Sequence, residues 1–173
     1  MSRFTNNDNN SRLNIKLTPI HFIRSLGDFD CDPAYLPKFL RPWDTARIMY
    51  SKEQDGMKQQ WHGRVFLNPP YISEDQYRVK DWIRKFIRHK NGIMLLSNST
   101  EASYYHQFIF PFADAILFKE GRIDYCDING NQIKGNQLGS IFCALGDHNV
   151  IALKRSKIRG HLLIHGGEWV RIE

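Results

Sequence analysis

Cysteine is scarce in this 173-residue sequence: Cys31, Cys126 and Cys143 stand far apart. Their spacing fits no zinc motif and an odd count argues against a disulfide scaffold, so buried free thiols in a reducing compartment are expected. His62 and His106 have no ligand partners at metal-binding spacing, so no metal is expected. No apolar run approaches the length of a membrane span. The opening Met1-Ser2-Arg3-Phe4-Thr5, followed by an Asn-rich stretch, lacks the apolar centre of a signal peptide. There is no low-complexity tract. These absences argue against a membrane protein, a secreted disulfide scaffold and a zinc protein, and for a cytoplasmic globular chain. Acidic residues are the scarcer charge, 18 against 24 basic ones, with a net charge of +6 and a pI of about 9.3. That balance permits a phosphate-rich partner without requiring one.

The length suits one domain with a sizeable core. Residues 1–12 read as a mobile polar tail, 13–153 as the single domain and 154–173 as a basic C-terminal extension. Thr18-Pro19 has the form of a helix N-cap with proline at the first helical position, and Phe22, Ile23 and Leu26 follow on one face. Asp28–Asp32 reads as a short strand stopped by Pro33. Residues 33–60 are irregular, which predicts a functional loop or a helix without clear signals. Arg64–Leu67 reads as a strand. Ser73 and Gln76 have capping-box spacing, and Val79, Trp82, Ile83, Phe86 and Ile87 recur at helical period until Asn91-Gly92. Ile93–Leu96 is a strand apolar on both faces. A helix over 100–110 and strands over 115–118 and 122–125 follow. Residues 127–136 form a turn-rich loop, and 141–145 with 150–153 read as a late hairpin. Strands alternating with helices predict an α/β sheet, mostly parallel, with an antiparallel C-terminal hairpin. Ligands of such sheets bind beyond the carboxyl ends of the strands.

The stretch Arg64-Val65-Phe66-Leu67-Asn68-Pro69-Pro70-Tyr71 stands at such an end. Neither proline can donate to a strand ladder, and the residue before each is held extended, so the chain leaves the strand stiffly. This suits methyl transfer to an exocyclic amine, whose nitrogen is a poor nucleophile because its lone pair is delocalised. Two acceptors against the two N–H groups stabilise the charge that develops on that nitrogen. The side-chain oxygen of Asn68 is one acceptor, the Pro69 carbonyl the other, with Pro70 stiffening the turn. Tyr71 supplies an aromatic face for a flipped-out base. The bland alternative is a rigid turn after a strand.

Asn-Pro-Pro-Tyr resembles the catalytic motif of amino-methyltransferases. Thr18-Pro19, Asp30-Cys31-Asp32-Pro33, Asp55-Gly56-Met57 before Trp61, Asn68–Tyr71, Leu95-Leu96 and Gly121-Arg122-Ile123 come in one order. Together they are similar to the small phage-type (Dam-like) DNA N6-adenine methyltransferases, over roughly residues 17–145. The resemblance implies a Rossmann-like methyltransferase sheet, S-adenosylmethionine as cofactor, DNA as partner and a phage or prophage origin. It implies cofactor contacts at Thr18, Pro19, Asp32 and Asp55, a substrate contact at Arg122, and catalysis at Asn68, Pro69, Pro70 and Tyr71. No G-x-G-x-x-G occurs anywhere, so the first motif is a reduced one. The same amine chemistry serves cytosine, RNA bases and protein glutamine, and a non-catalytic DNA-binding relative is the alternative of another class. Arg78, Lys80, Arg84, Lys85, Arg88 and Lys90 crowd one helix and read as a solvated face, with contact to the DNA backbone as the alternative. Lys154, Arg155, Lys157 and Arg159 are the denser basic cluster and the better candidate for phosphate contacts.

Overall fold

The computed structural model describes residues 15–71 and 77–173. The tail at 1–12 and the Ser73–Gln76 capping pair lie outside the described residues. In chain order the elements are α1 (Ile20–Ser25), β1 (Cys31–Asp32), β2 (Ile48–Met49), a 3-10 turn at Lys52–Gln54, β3 (Val65–Leu67), α2 (Val79–His89), β4 (Gly92–Ser97), a π-helical turn at Tyr105–Ile109 continued by a helical turn at Phe110–Phe112 (together α3), β5 (Ala115–Lys119), β6 (Ser140–Leu145), α4 (Asp147–Arg155), β7 (Gly160–Ile164) and β8 (Glu168–Ile172). One eight-stranded sheet runs in the order β2-β1-β3-β4-β6-β5-β7-β8. The pairs β2–β1, β1–β3 and β3–β4 are parallel, and every pair from β4 onward is antiparallel.

The central strands are buried at successive positions, their side chains falling on the two faces in alternation, as a sheet covered on both sides requires. Val65, Leu67, Met94 and Leu96 join Trp82, Ile83 and Phe86 of α2 and Tyr105 and Ile109 of α3 on one face. Phe66, Ile93 and Leu95 join Ile23 of α1 and Leu153 of α4 on the other. The sheet is therefore the middle of three layers. Buried Arg64 ties together the two elements that cover this second face: Nη1 and Nη2 donate to the carbonyls of Asp28 and Leu26, after and at the end of α1, at 2.9 and 2.8 Å, and Nε donates to Asn149 Oδ1 of α4 at 2.5 Å.

Several expectations are corrected. Residues 150–153 are helical, inside α4, not a hairpin strand. A four-residue apolar run suits either state. Asp147 in the first turn and Lys154 and Arg155 in the last match the helix dipole, and Gly146, at φ +90°, turns the chain from β6 into α4. The C-terminal hairpin is β7–β8 instead, and β6 lies inside the sheet between β4 and β5. Residues 122–125 form no strand. The 33–60 segment holds β2 and one 3-10 turn rather than a missed helix. Helix α1 starts at Ile20, with Pro19 as its N-cap and no side-chain cap. All three cysteines are free and buried. Among the described residues no helix is long and apolar enough to cross a membrane.

Candidate active site

Strands β1, β2, β3 and β4 run the same way. β5 joins them in direction, because it is antiparallel to β6, which is antiparallel to β4. Their carboxyl ends share one end of the sheet. From β1 the chain moves outward to β2, then crosses back to β3 on the other side of β1. That reversal makes a topological switch point between β1 and β3, the place where open α/β sheets form a ligand crevice. Asp32 ends β1 and Asn68 follows β3, so the order of strands sets both at this crevice.

Asn68 is half-buried, and its Nδ2 donates to the Thr18 hydroxyl at 3.3 Å. Thr18 is itself buried, held by a pair of 2.8 Å backbone bonds exchanged between Leu17 and Cys126. With the amide nitrogen turned to Thr18, Oδ1 is the acceptor end, on the side away from it. Pro69 is buried and Pro70 half-buried. Tyr71 is 44% exposed as a residue, while its hydroxyl is turned inward to accept the Ser97 N–H at 2.6 Å. Burial of that hydroxyl end, opposed by the bonds to Ser97, raises the Tyr71 phenol above its ordinary range, so it stays neutral. The Tyr105 hydroxyl donates to the carbonyl of the same Ser97. Tyr71 thus spans from the turn after β3 to the end of β4, with its ring open to a ligand.

Asp32 is almost wholly buried. Its Oδ2 accepts from the Thr45 hydroxyl at 2.6 Å and its Oδ1 from the Ala34 N–H at 3.1 Å. Burial pushes it up to about 6, against the pull of those two bonds. It frames the turn after β1 rather than offering an open carboxylate. Gly56 packs on that turn: a Cβ there would lie 1.8 Å from the Pro33 carbonyl oxygen. Only glycine allows this approach, and it draws the 55–57 segment against 32–33. Asp55, at φ +50°, accepts from the Met57 N–H at 3.2 Å and pairs with Lys58 at 3.1 Å. The loop is fixed from behind by Lys85 of α2. Its ammonium donates to the carbonyls of Gly56, Met57 and Gln59 at 3.4, 2.7 and 2.6 Å. Trp61 Nε1 adds a bond to the Gly56 carbonyl at 2.8 Å. Lys85 therefore leaves the solvated basic face on which its charge and spacing had set it.

Thr18, Pro19, Asp32, Asp55 and Asn68–Tyr71 thus gather around the switch-point end. Arg122 does not join them. It is exposed in the segment after β5, and β4 and β6 separate β5 from β3. Thr45, Lys85 and Ser97 carry the frame of the site without any motif of their own. The one signal for Ser97 was its position directly after the apolar run Ile93–Leu96. Among the described residues no group of three or more His, Cys, Asp or Glu is gathered in a way that suits a metal ion.

A family model described as DNA N-6-adenine-methyltransferase (Dam) matches residues 43–150. The match includes Asp55, Asn68–Tyr71 and Arg122, and begins after Thr18, Pro19 and Asp32. No curated protein and no solved structure matches the chain.

Proposed function

The chain belongs to the DNA N-6-adenine-methyltransferase (Dam) family, and from that premise we propose that it transfers a methyl group from S-adenosylmethionine to the exocyclic N6 amine of adenine in DNA. The observation that carries this reading is Asn68-Pro69-Pro70-Tyr71 at the switch-point end of β3, with the Asn68 amide nitrogen engaged by Thr18. We read the β2-β1-β3-β4 half of the sheet as Rossmann-like.

The residues around the crevice fit the cofactor. S-adenosylmethionine, when bound, supplies a methyl group made electrophilic by its sulfonium. Thr18 and Pro19 line the crevice beside Asn68. Asp32 holds the turn after β1 in shape through Thr45 and Ala34. Asp55 brings a half-buried carboxylate on the loop that Gly56 packs against that turn. No glycine-rich turn is needed if the 33–35 backbone, rather than a glycine fingerprint, forms that wall.

Asn68 Oδ1 and the Pro69 carbonyl accept the two amine N–H groups of a flipped adenine and draw the lone pair out of the ring as charge builds on nitrogen. Pro70 keeps the Pro69 carbonyl from turning, since its own φ is fixed. Tyr71 stacks on the base, its ring set by the bond from Ser97. A neutral phenol suits that role, because a phenolate would repel the electron-rich base.

The test is transfer of labelled methyl from S-adenosylmethionine to unmethylated DNA, followed by nucleoside analysis. Label in N6-methyladenine is expected. With Asn68→Ala it should fall by at least about a hundredfold while the fold persists, the loss seen when one acceptor or donor of a preorganised site is removed. Label in cytosine instead would change the acceptor. No label in any base from the folded protein would overturn the enzyme.

A further inference from the structure

We propose that the corner formed by Lys119, Arg122, Lys157 and Arg159 is a surface for the phosphate backbone of duplex DNA, on the same end of the sheet as Asn68–Tyr71. This rests on the DNA-methyltransferase reading above and adds where the duplex lies.

The register of the sheet makes the corner. β7 runs antiparallel to β5, with Lys119 opposite Gly160. The start of β7 therefore lies beside the carboxyl end of β5, not at the far end of the sheet. The Glu120 N–H donates to the Arg159 carbonyl at 2.8 Å and locks the two segments together. Lys119 Nζ reaches the carbonyls of Glu120 and Arg122 at 2.7 and 3.4 Å, which ties Arg122 into the same corner.

The basic side chains are turned outward by a built turn. Ser156 Oγ donates to the Leu153 carbonyl at 2.8 Å and accepts from the Ile158 N–H at 3.2 Å. Between them Lys157 takes a left-handed φ of +57°, rare for a residue with a side chain. Ser156, Ile158 and Gly160 are buried, and Lys157 and Arg159 are exposed between them. Among the described residues no carboxylate forms an ion pair with Arg122, Lys157 or Arg159. Glu120 and Asp124 offset two of the four charges locally. Lys119 is held below the ordinary lysine range by burial and then by the charge of Arg159, a sign of crowded cations.

The spacing fits a duplex. From β3 to β5 and β7 is three to four strand separations, roughly 14–19 Å. Each nucleotide of B-DNA advances roughly 3.4 Å along the helix axis, so with the duplex axis lying across the strands this corner would meet the backbone roughly four to six nucleotides from a base turned into the β3 end.

The experiment is duplex DNA binding by fluorescence anisotropy across a salt series. It compares the full chain, Lys157→Gln/Arg159→Gln, and a charge-matched pair, Arg88→Gln/Lys90→Gln. The matched pair lies where α2 ends and β4 begins, at the opposite end of the sheet. Each lost phosphate contact lowers the slope of log K against log salt by roughly 0.9, so the first pair should lose roughly 1.8 and the second close to nothing. Equal losses in both pairs, a larger loss in the second, or no loss in either would overturn the proposal. Melting curves matching the unmodified chain confirm that each variant is folded. The outcome is separable from that of the catalytic reading. A chain that binds DNA through this corner but transfers no methyl group would leave the surface standing and remove the enzyme. One that transfers methyl groups with an unchanged slope in the first pair would do the reverse.

Discussion

Asn68 has a choice that its own chemistry does not resolve. A carboxamide carries a donor end and an acceptor end of nearly equal shape, and only one orientation serves an amine substrate. In the fold Nδ2 faces the buried Thr18 hydroxyl and donates to it at 3.3 Å, which leaves Oδ1 on the other side. Thr18→Val keeps the shape and removes the acceptor. It should lower kcat about five- to tenfold, the worth of one hydrogen bond, with KM for cofactor and DNA unchanged. Thr18→Ser should restore most of the rate. A change confined to KM for S-adenosylmethionine would assign Thr18 to the cofactor instead. Asp32 poses a question of protonation. Burial lifts it to about 6 from an ordinary value of 3.8, so the folded chain holds that proton more tightly than the unfolded one. The sign follows: its contribution to stability is fully present below about pH 4 and is lost as pH rises through 6. Asp32→Asn does not titrate. Urea denaturation should therefore show the variant gaining on the unmodified chain by on the order of 2–3 kcal/mol between pH 4 and pH 7. A difference that stays flat across that range would mean that Asp32 is ionised throughout.

At the scale of elements, α2 carries more than its apolar stripe. Lys85 points off that stripe and closes three carbonyls of the 56–59 segment, one for each of its N–H donors. Lys85→Met fills similar space but leaves the Met57 and Gln59 carbonyls without their donor, while Gly56 keeps the Trp61 bond. Destabilisation of about 2 kcal/mol is expected from the urea midpoint. An unchanged midpoint would mean that water replaces the ammonium without loss. The same residue marks a limit of legibility. β3, β4 and α2 were readable because their signals are local: an apolar run or a 3.6-residue period. The placement of Asn68–Tyr71 was readable for the same reason, as four adjacent residues directly after a strand. The partners that set the site were not. Thr45 meets Asp32 across 13 residues, Ser97 meets Tyr71 across 26, and Lys85 meets Met57 across 28. No window of sequence holds both members of such a pair. Residues 150–153 failed for the opposite reason: the local signal was present but equally good for two structures.

For the molecule as a whole, the last twenty residues change meaning. In sequence they are a basic cluster trailing behind a domain. In the fold, Ile158, Leu162 and Ile172 are buried in the core layer that α1 and α4 cover, and β7 pairs along the length of β5. A buried aliphatic side chain of this kind is worth roughly 1.5–3 kcal/mol, so three approach the whole stability of a typical domain, roughly 5–15 kcal/mol. Removing β7 would also bare β5 as an unpaired edge, a template for aggregation. A chain ending at Ser156 should therefore be insoluble, or should melt without a cooperative transition by circular dichroism. Cooperative melting at the full chain's midpoint would show that the hairpin is separable and that the sheet closes on β5 alone. Under the first outcome the charge and the packing of this segment are one feature. The buried Ile158 and Leu162 anchor the strand, and that anchoring is what holds the exposed Lys157 and Arg159 rigidly at the end of the sheet where Asn68 lies.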